Sequence, residues 1–212
     1  MEYLITAVLS YLIGSFPTAF IILKKLRKID ITNAGSGNVG ALNSYEVSNS
    51  KLIGVSVLMV DAAKGLLIVY LSKVLCGNTY LIGATALIFG VAGHCFSPWL
   101  KFKGGRGLAT AAGGSLLLAP VILILWIVFW GIAFLFRKNV HFGNITATIL
   151  TGLLCISSAD ILNKYSIPPP SKDIFFGISV LILMKIIFIK HIEPLKEYLS
   201  QQKIKARSNS DE

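Results

Sequence analysis

Long apolar runs separated by short polar loops limit what this chain can fold into. A hydrocarbon core about 30 Å thick is crossed by about 20 apolar residues in a helix. Residues 3–23, 52–75 and 80–100 are such runs, and 108–120, 121–136, 142–158 and 174–189 supply four more. With 54% hydrophobic and only 14% charged residues in 212, the chain lies far from the charge content of soluble domains, about 25%. The expected fold is an all-α integral membrane protein of about seven transmembrane helices. Pro120 separates the fourth and fifth runs, which could instead form one kinked helix and a re-entrant piece. The first run lacks the basic leader of a signal peptide and is too long for its apolar core, so it reads as a retained helix. A single transmembrane domain is expected over 1–200, with a polar, disordered tail over 201–212.

The net charge is +10, from 20 Lys and Arg against 10 Asp and Glu. No basic segment is interleaved with aromatics in the manner of a nucleic-acid binder, so the excess reads as a positive-inside bias. With the N-terminus outside, the inner segments hold Lys24, Lys25, Arg27, Lys28, Lys51, Lys101, Lys103, Arg106, Arg137, Lys138 and Lys190. The outer ones hold only Lys73, Lys164 and Lys172. The C-terminus is then cytoplasmic. The three cysteines, Cys76, Cys95 and Cys155, form no CxxC pair, and neither a disulfide framework nor a metal site is expected.

Two polar loops on the inner side carry unusual chemistry. In NAGSGNVGALN, Gly35, Gly37 and Gly40 let the backbone approach a ligand, and successive N–H groups can form an anion nest. Ser36, Asn38 and Asn43 add hydroxyl and amide groups. The loop reads as a phosphate site or as a flexible turn; it is no Walker loop, lacking the GK[ST] ending. The second loop, GHCFSPWLKFKGGRGLAT, sets His94, Lys101, Lys103 and Arg106 among Gly104, Gly105 and Gly107. A helix starting near Leu108 would point its N-terminus at it, favouring a phosphate and a developing oxyanion. Asp61 and Lys64, three apart within an apolar run, could be a structural ion pair or a functional one. His191 in KHIEP could serve as acid, base or phosphate partner.

Taken together and in order, these segments resemble the bacterial acyl-phosphate:glycerol-3-phosphate acyltransferase family (PlsY). GSGNVGALN is similar to its GSGN-x-GATN, DAAKG to its D-x-x-KG, and GHCFSPWLKFKGGRGLAT to its GH-x-F-x-x-x-L-x-FKGGKG-x-AT. KHIEPLKEYL resembles H-x-x-N-I-x-R-L weakly. The resemblance implies acyl transfer from acyl phosphate to glycerol 3-phosphate, giving lysophosphatidate for phospholipid biosynthesis. It implies no cofactor or metal, and a site on the cytoplasmic face of the cell membrane; a monomer is the expected state. By motif match Ser36, Asn38, Arg106 and His191 are the expected catalytic residues. Gly35, Gly37, Gly40, Asn43, Lys103, Gly104, Gly105, Gly107, Lys101 and His94 are the expected substrate-binding ones. The KGGRG loop is assigned to acyl phosphate, the first loop with His191 to glycerol 3-phosphate.

The departures cluster on the acceptor side. Glu46 stands where the family has Arg, Pro194 where it has Asn, and Glu197 where it has Arg. His141 and Asn144 replace two serines. An exchange of sign at 4 Å is worth several kcal/mol at an effective dielectric near 20. A different acceptor or lost activity is therefore an alternative, with Lys24 or Lys138 able to compensate. A small anion or metabolite transporter is a further alternative, although no internal repeat is visible.

Overall fold

A backbone that breaks inside a membrane must find partners for its freed carbonyls, since lipid supplies none. In the computed structural model, which describes residues 1–208 and the side chains of 1–200, such a break divides the first apolar run. Helix α1 (Glu2–Gly14) ends at Ser15, and α2 (Thr18–Arg27) starts after Pro17, whose ring cannot donate to a helix. The freed groups are met from two sides. Lys64 Nζ donates to Gly14 O at 3.3 Å and Phe16 O at 2.8 Å. Ser97 Oγ donates to Ser15 O at 2.7 Å, and Trp99 Nε1 to Ser15 Oγ at 2.9 Å.

Lys64 lies on the long helix α4 (Lys51–Cys76), which follows the short α3 (Ala41–Ser48). Its Nζ is 2.9 Å from Asp61 Oδ1, both side chains being buried. The pair thus has a structural task. The ammonium terminates a broken helix, where the carbonyl end favours a cation, and Asp61 neutralises it.

Helix α5 (Tyr80–Cys95) packs on α1, and α6 (Leu108–Leu118) on α4. Small residues allow near contact: a Cβ on Gly65 would lie 1.9 Å from Thr110 O, and one on Gly113 1.9 Å from Ala62 O. Helix α6 is only 11 residues long, about 16 Å at 1.5 Å per residue, and so ends inside the protein. A second α4 lysine serves that end: Lys73 Nζ donates to Leu117 O at 3.1 Å and also to Ile167 O. Pro120 then opens α7 (Pro120–Arg137), in which only Ile122 and Ala133 are buried. Helix α8 (Val140–Ser157) is capped by Asn139 Oδ1, which accepts from Phe142 N at 2.9 Å. The short α9 (Ala159–Leu162), α10 (Asp173–Ile189) and α11 (Ile192–Ser208) complete the chain. The main apolar core joins α5, α6 and α10 through residues such as Leu87, Val91, Phe176 and Leu183. A second core of Leu23, Ile31, Val39, Ile53 and Val57 underlies the first glycine loop.

No strand occurs among the described residues, and the all-α membrane architecture stands. Four stretches are long and apolar enough to cross a bilayer: Glu2–Arg27, Lys51–Cys76, Pro120–Arg137 and Val140–Ser157. A fifth arises if α10 and the start of α11, bent by 49°, act as one. The remaining two apolar helices, Tyr80–Cys95 and Leu108–Leu118, are shorter than a span. The expected run over 80–100 thus ends early, where Phe96 leaves helical geometry. Helix α11 runs on to Ser208 across the expected tail boundary at 201, and 209–212 lie outside the described residues.

Replacing Lys64 with Met should strip the α1 break of its cation and leave Asp61 buried alone. Breaking such a pair costs about 3–5 kcal/mol. A large drop in the thermal unfolding temperature in detergent, with Asp61→Asn/Lys64→Met less affected than Lys64→Met alone, is the expected outcome.

Candidate active site

The first glycine loop is built around one side chain. Asn43, 1% exposed at the start of α3, accepts from Ser36 N at 3.1 Å through Oδ1. Its Nδ2 donates to Ala34 O at 3.1 Å and Asn38 O at 2.9 Å. The amide is thereby consumed in tying residues 34–38 into a closed turn. Gly35 and Gly37 have φ of +57° and +68°, and a Cβ on Gly35 would fall 2.3 Å from Asn43 Oδ1. Ser36 is left exposed at the crest, and Asn38 is half-buried beside it. Asn43 therefore shapes the loop from within. Gly40 is the extended residue that precedes α3.

The second loop docks against the first. Val39 N donates to Gly104 O at 3.4 Å, and Gly105 N donates to His94 O at 3.1 Å. Any side chain at Gly104 would strike His94 O at 2.3 Å. Ser97 and Lys103 form an isolated bridge that closes the turn carrying Lys101 and Phe102 at positive φ. Lys101 and Lys103 are exposed. Gly107, at φ +85°, is the residue from which α6 starts. His94 is only 8% exposed, with Nδ1 3.9 Å from Asp61 Oδ1. It lies beneath the loop rather than on its open side.

Arg106 joins these loops to α8. Its guanidinium Nη1 is 3.3 Å from His141 Nδ1. Partial burial pulls its pKa below the ordinary value, while the charges of Glu197 and Glu46 act in the opposite direction. An arginine stays protonated through such changes, so the site retains a fixed positive charge. One turn further along α8, Asn144 Nδ2 is 3.4 Å from His191 Nε2. His191 is 1% exposed, and its Nδ1 is 2.8 Å from Ile187 O. The Ile187 carbonyl can only accept, so Nδ1 donates, and Nε2, the free nitrogen that reaches toward Asn144, accepts from it.

An apolar cavity of about 400 Å³ opens along α6, lined by Leu108, Ala112, Ser115, Trp126 and Met184 among others. Trp126 Nε1 donates to Thr148 Oγ1 at 3.2 Å, which fixes one wall. Reading the sequence missed this groove, because its walls come from α4, α6, α7 and α10 and meet only when these helices pack. It also missed the Arg106–His141 contact. Among the described residues no cluster of His, Cys, Asp and Glu could hold a metal ion, and the three cysteines are free.

Asn43→Ala should dissolve the turn over 34–38, since three bonds from a buried group are lost at about 1–3 kcal/mol for each partner left unsatisfied. Asn43→Ala is expected to lose activity together with thermal stability. Ser36→Ala should lose activity and keep the wild-type unfolding temperature.

Residues 4–201 match the family model described as glycerol-3-phosphate acyltransferase. A glycerol-3-phosphate acyltransferase of Pelagibacter ubique is 32% identical over 207 residues, covering 98% of this chain and 99% of that one. "Glycerol-3-phosphate acyltransferase 2" of Moorella thermoacetica is 39% identical over 154 residues, 73% of this chain and 78% of its own. Crystal structures of PlsY (YgiH), an integral membrane glycerol 3-phosphate acyltransferase, superpose closely. The glycerol 3-phosphate form has a TM-score of 0.75 at 29% identity, covering 95% of this chain and 94% of that chain. The lysophosphatidic acid form has a TM-score of 0.73 at 28% identity, covering 95% and 93%. With its model matched nearly end to end and its fold shared at that level, the chain belongs to the glycerol-3-phosphate acyltransferase family.

Proposed function

We propose that this protein transfers a fatty acyl group from acyl phosphate to the 1-hydroxyl of glycerol 3-phosphate, forming lysophosphatidate at the cytoplasmic membrane face. The observation that carries the reading is the double use of α6. Its N-terminus receives the Gly104, Gly105, Arg106 and Gly107 turn, and its flank lines the apolar cavity. A phosphate on the turn and an acyl chain in the groove are then the two ends of one donor molecule. The site faces the cytoplasm with the N-terminus outside, a placement supported by the distribution of Lys and Arg. Of the three outer lysines, Lys73 is held by the carbonyls of Leu117 and Ile167.

In the reaction the acceptor hydroxyl adds to the acyl carbonyl, and the tetrahedral oxyanion collapses with release of inorganic phosphate. The hydroxyl proton passes to the departing phosphate, so no separate base is required. Acyl phosphate is already an activated anhydride, which leaves positioning and charge stabilisation to the protein. Loop amides and Arg106 meet the phosphate and the developing charge. Ser36 and Asn38 at the crest of the first loop meet the acceptor, with Asn144 oriented by His191. Lys101 and Lys103 raise the local concentration of anionic substrates.

A second reading, with an acceptor other than glycerol 3-phosphate, is favoured by Glu46 and Glu197. Both act electrostatically on Arg106 and His141, where an anionic acceptor would have to approach. Incubating the purified protein with palmitoyl phosphate and glycerol 3-phosphate tests the first reading through lysophosphatidate formation. Consumption of palmitoyl phosphate without that product favours the second, and no consumption rejects both. Arg106→Ala is expected to lower kcat about 100-fold or more, as for other stabilisers of a developing oxyanion. Wild-type turnover in that variant would refute the assigned role. Glu46→Arg should lower the KM for glycerol 3-phosphate; a rise would overturn the electrostatic account.

A further inference from the structure

Directly beneath the Gly104–Gly105 turn lies a small cavity of about 10 Å³ whose mixed lining includes Phe16, Val39 and Leu100 beside Thr18, Asp61, His94 and the two glycines. It sits at the α1–α2 break, away from the open side of the site. Two side-chain atoms of its lining accept or donate no hydrogen bond among the described residues, Thr18 Oγ1 and Asp61 Oδ1, although the residues are 4% and 2% exposed. Lys64 reaches Asp61 Oδ1 as an ion pair at 2.9 Å, but its directional bonds run to Gly14 O and Phe16 O. His94 Nδ1 stands 3.9 Å from the same carboxylate oxygen, too far for a direct hydrogen bond.

We propose that Thr18, Asp61 and His94 hold one buried water beneath the glycine turn, and that through it they act as positioning residues for the donor loop. The size agrees, since about one probe sphere of volume is what a single water needs. The chemistry agrees as well, because a water donates to Asp61 Oδ1 while accepting from His94 Nδ1 and Thr18 Oγ1, near the usual number of bonds for a buried water. A metal cation is disfavoured, because the ammonium of Lys64 already neutralises the carboxylate. The water would set the histidine tautomer, protonated on Nδ1, with Nε2 turned toward Gly105. There the ring fills the space a side chain would take, since a Cβ on Gly105 would lie 2.0 Å from Nε2. His94 O in turn accepts from Gly105 N. The ring and the carbonyl of one residue therefore both brace the turn assigned to the acyl phosphate.

The kinetic consequence rests on the proposed acyl-phosphate reaction; the water itself does not. A high-resolution crystal structure of the full chain should show one water within hydrogen-bond distance of Thr18 Oγ1, Asp61 Oδ1 and His94 Nδ1. A direct Asp61–His94 bond closing the gap, or a coordinated cation there, overturns the proposal. Thr18→Val removes the hydroxyl at similar volume. It should raise the KM for palmitoyl phosphate about tenfold while leaving the KM for glycerol 3-phosphate unchanged, and Thr18→Ser should restore it. An unchanged palmitoyl phosphate KM in Thr18→Val, or an equal rise in both KM values, refutes the positioning role. Should the wild-type protein consume no acyl phosphate, the proposed function fails, and the crystal structure alone decides the water.

Discussion

The Lys64 ammonium is the interaction on which the other parts lean. It closes the carbonyl end of α1 and pairs with Asp61. In lipid an unpaired carbonyl or charge costs several kcal/mol, so neither the break nor the ion pair would persist without the other. The break in turn lets Ser15 receive Ser97 and Trp99 from the segment after α5. That anchors the base of the loop leading into Lys103 and Arg106. Loop geometry therefore depends on an ionic contact between α1 and α4.

Short helices recur in this protein for a related reason. Helix α6 ends within the protein because Pro120 follows it, and Lys73 donates to the Leu117 carbonyl near its end. The start of α6 follows directly on the glycine turn, and its small residues leave room on one flank for an apolar cavity. One element then presents polar and apolar chemistry within a few residues. That is what a substrate with an anionic head and a long hydrocarbon tail demands of a protein in a membrane.

Much of the fold was legible because apolar runs of this length have few other outcomes. The glycine loops were legible because their residue types have few other uses. The finer site was not. Asn43 reads in sequence as an amide available to a ligand, yet its donors and acceptor are spent inside the loop. His94 reads as a surface partner of the basic loop, yet its ring is packed under Gly105. Helices α3 and α11 carried no strong apolar periodicity; α3 is settled by its packing on α4, and α11 touches α8. Glu46 and Glu197 stood out as substitutions, and the structure added that both act on the same guanidinium.

By itself the sequence determined the membrane class, the helical architecture and the two polar loops, since hydropathy and glycine content act locally along the chain. The tertiary structure decided which polar groups are consumed in holding the scaffold and which stay open to a substrate. Lys64 finds Phe16 across 48 residues of sequence, and Arg106 finds His141 across 35. Such pairings follow from how helices stack around breaks that must be satisfied without water, and that geometry exists only after the helices have packed.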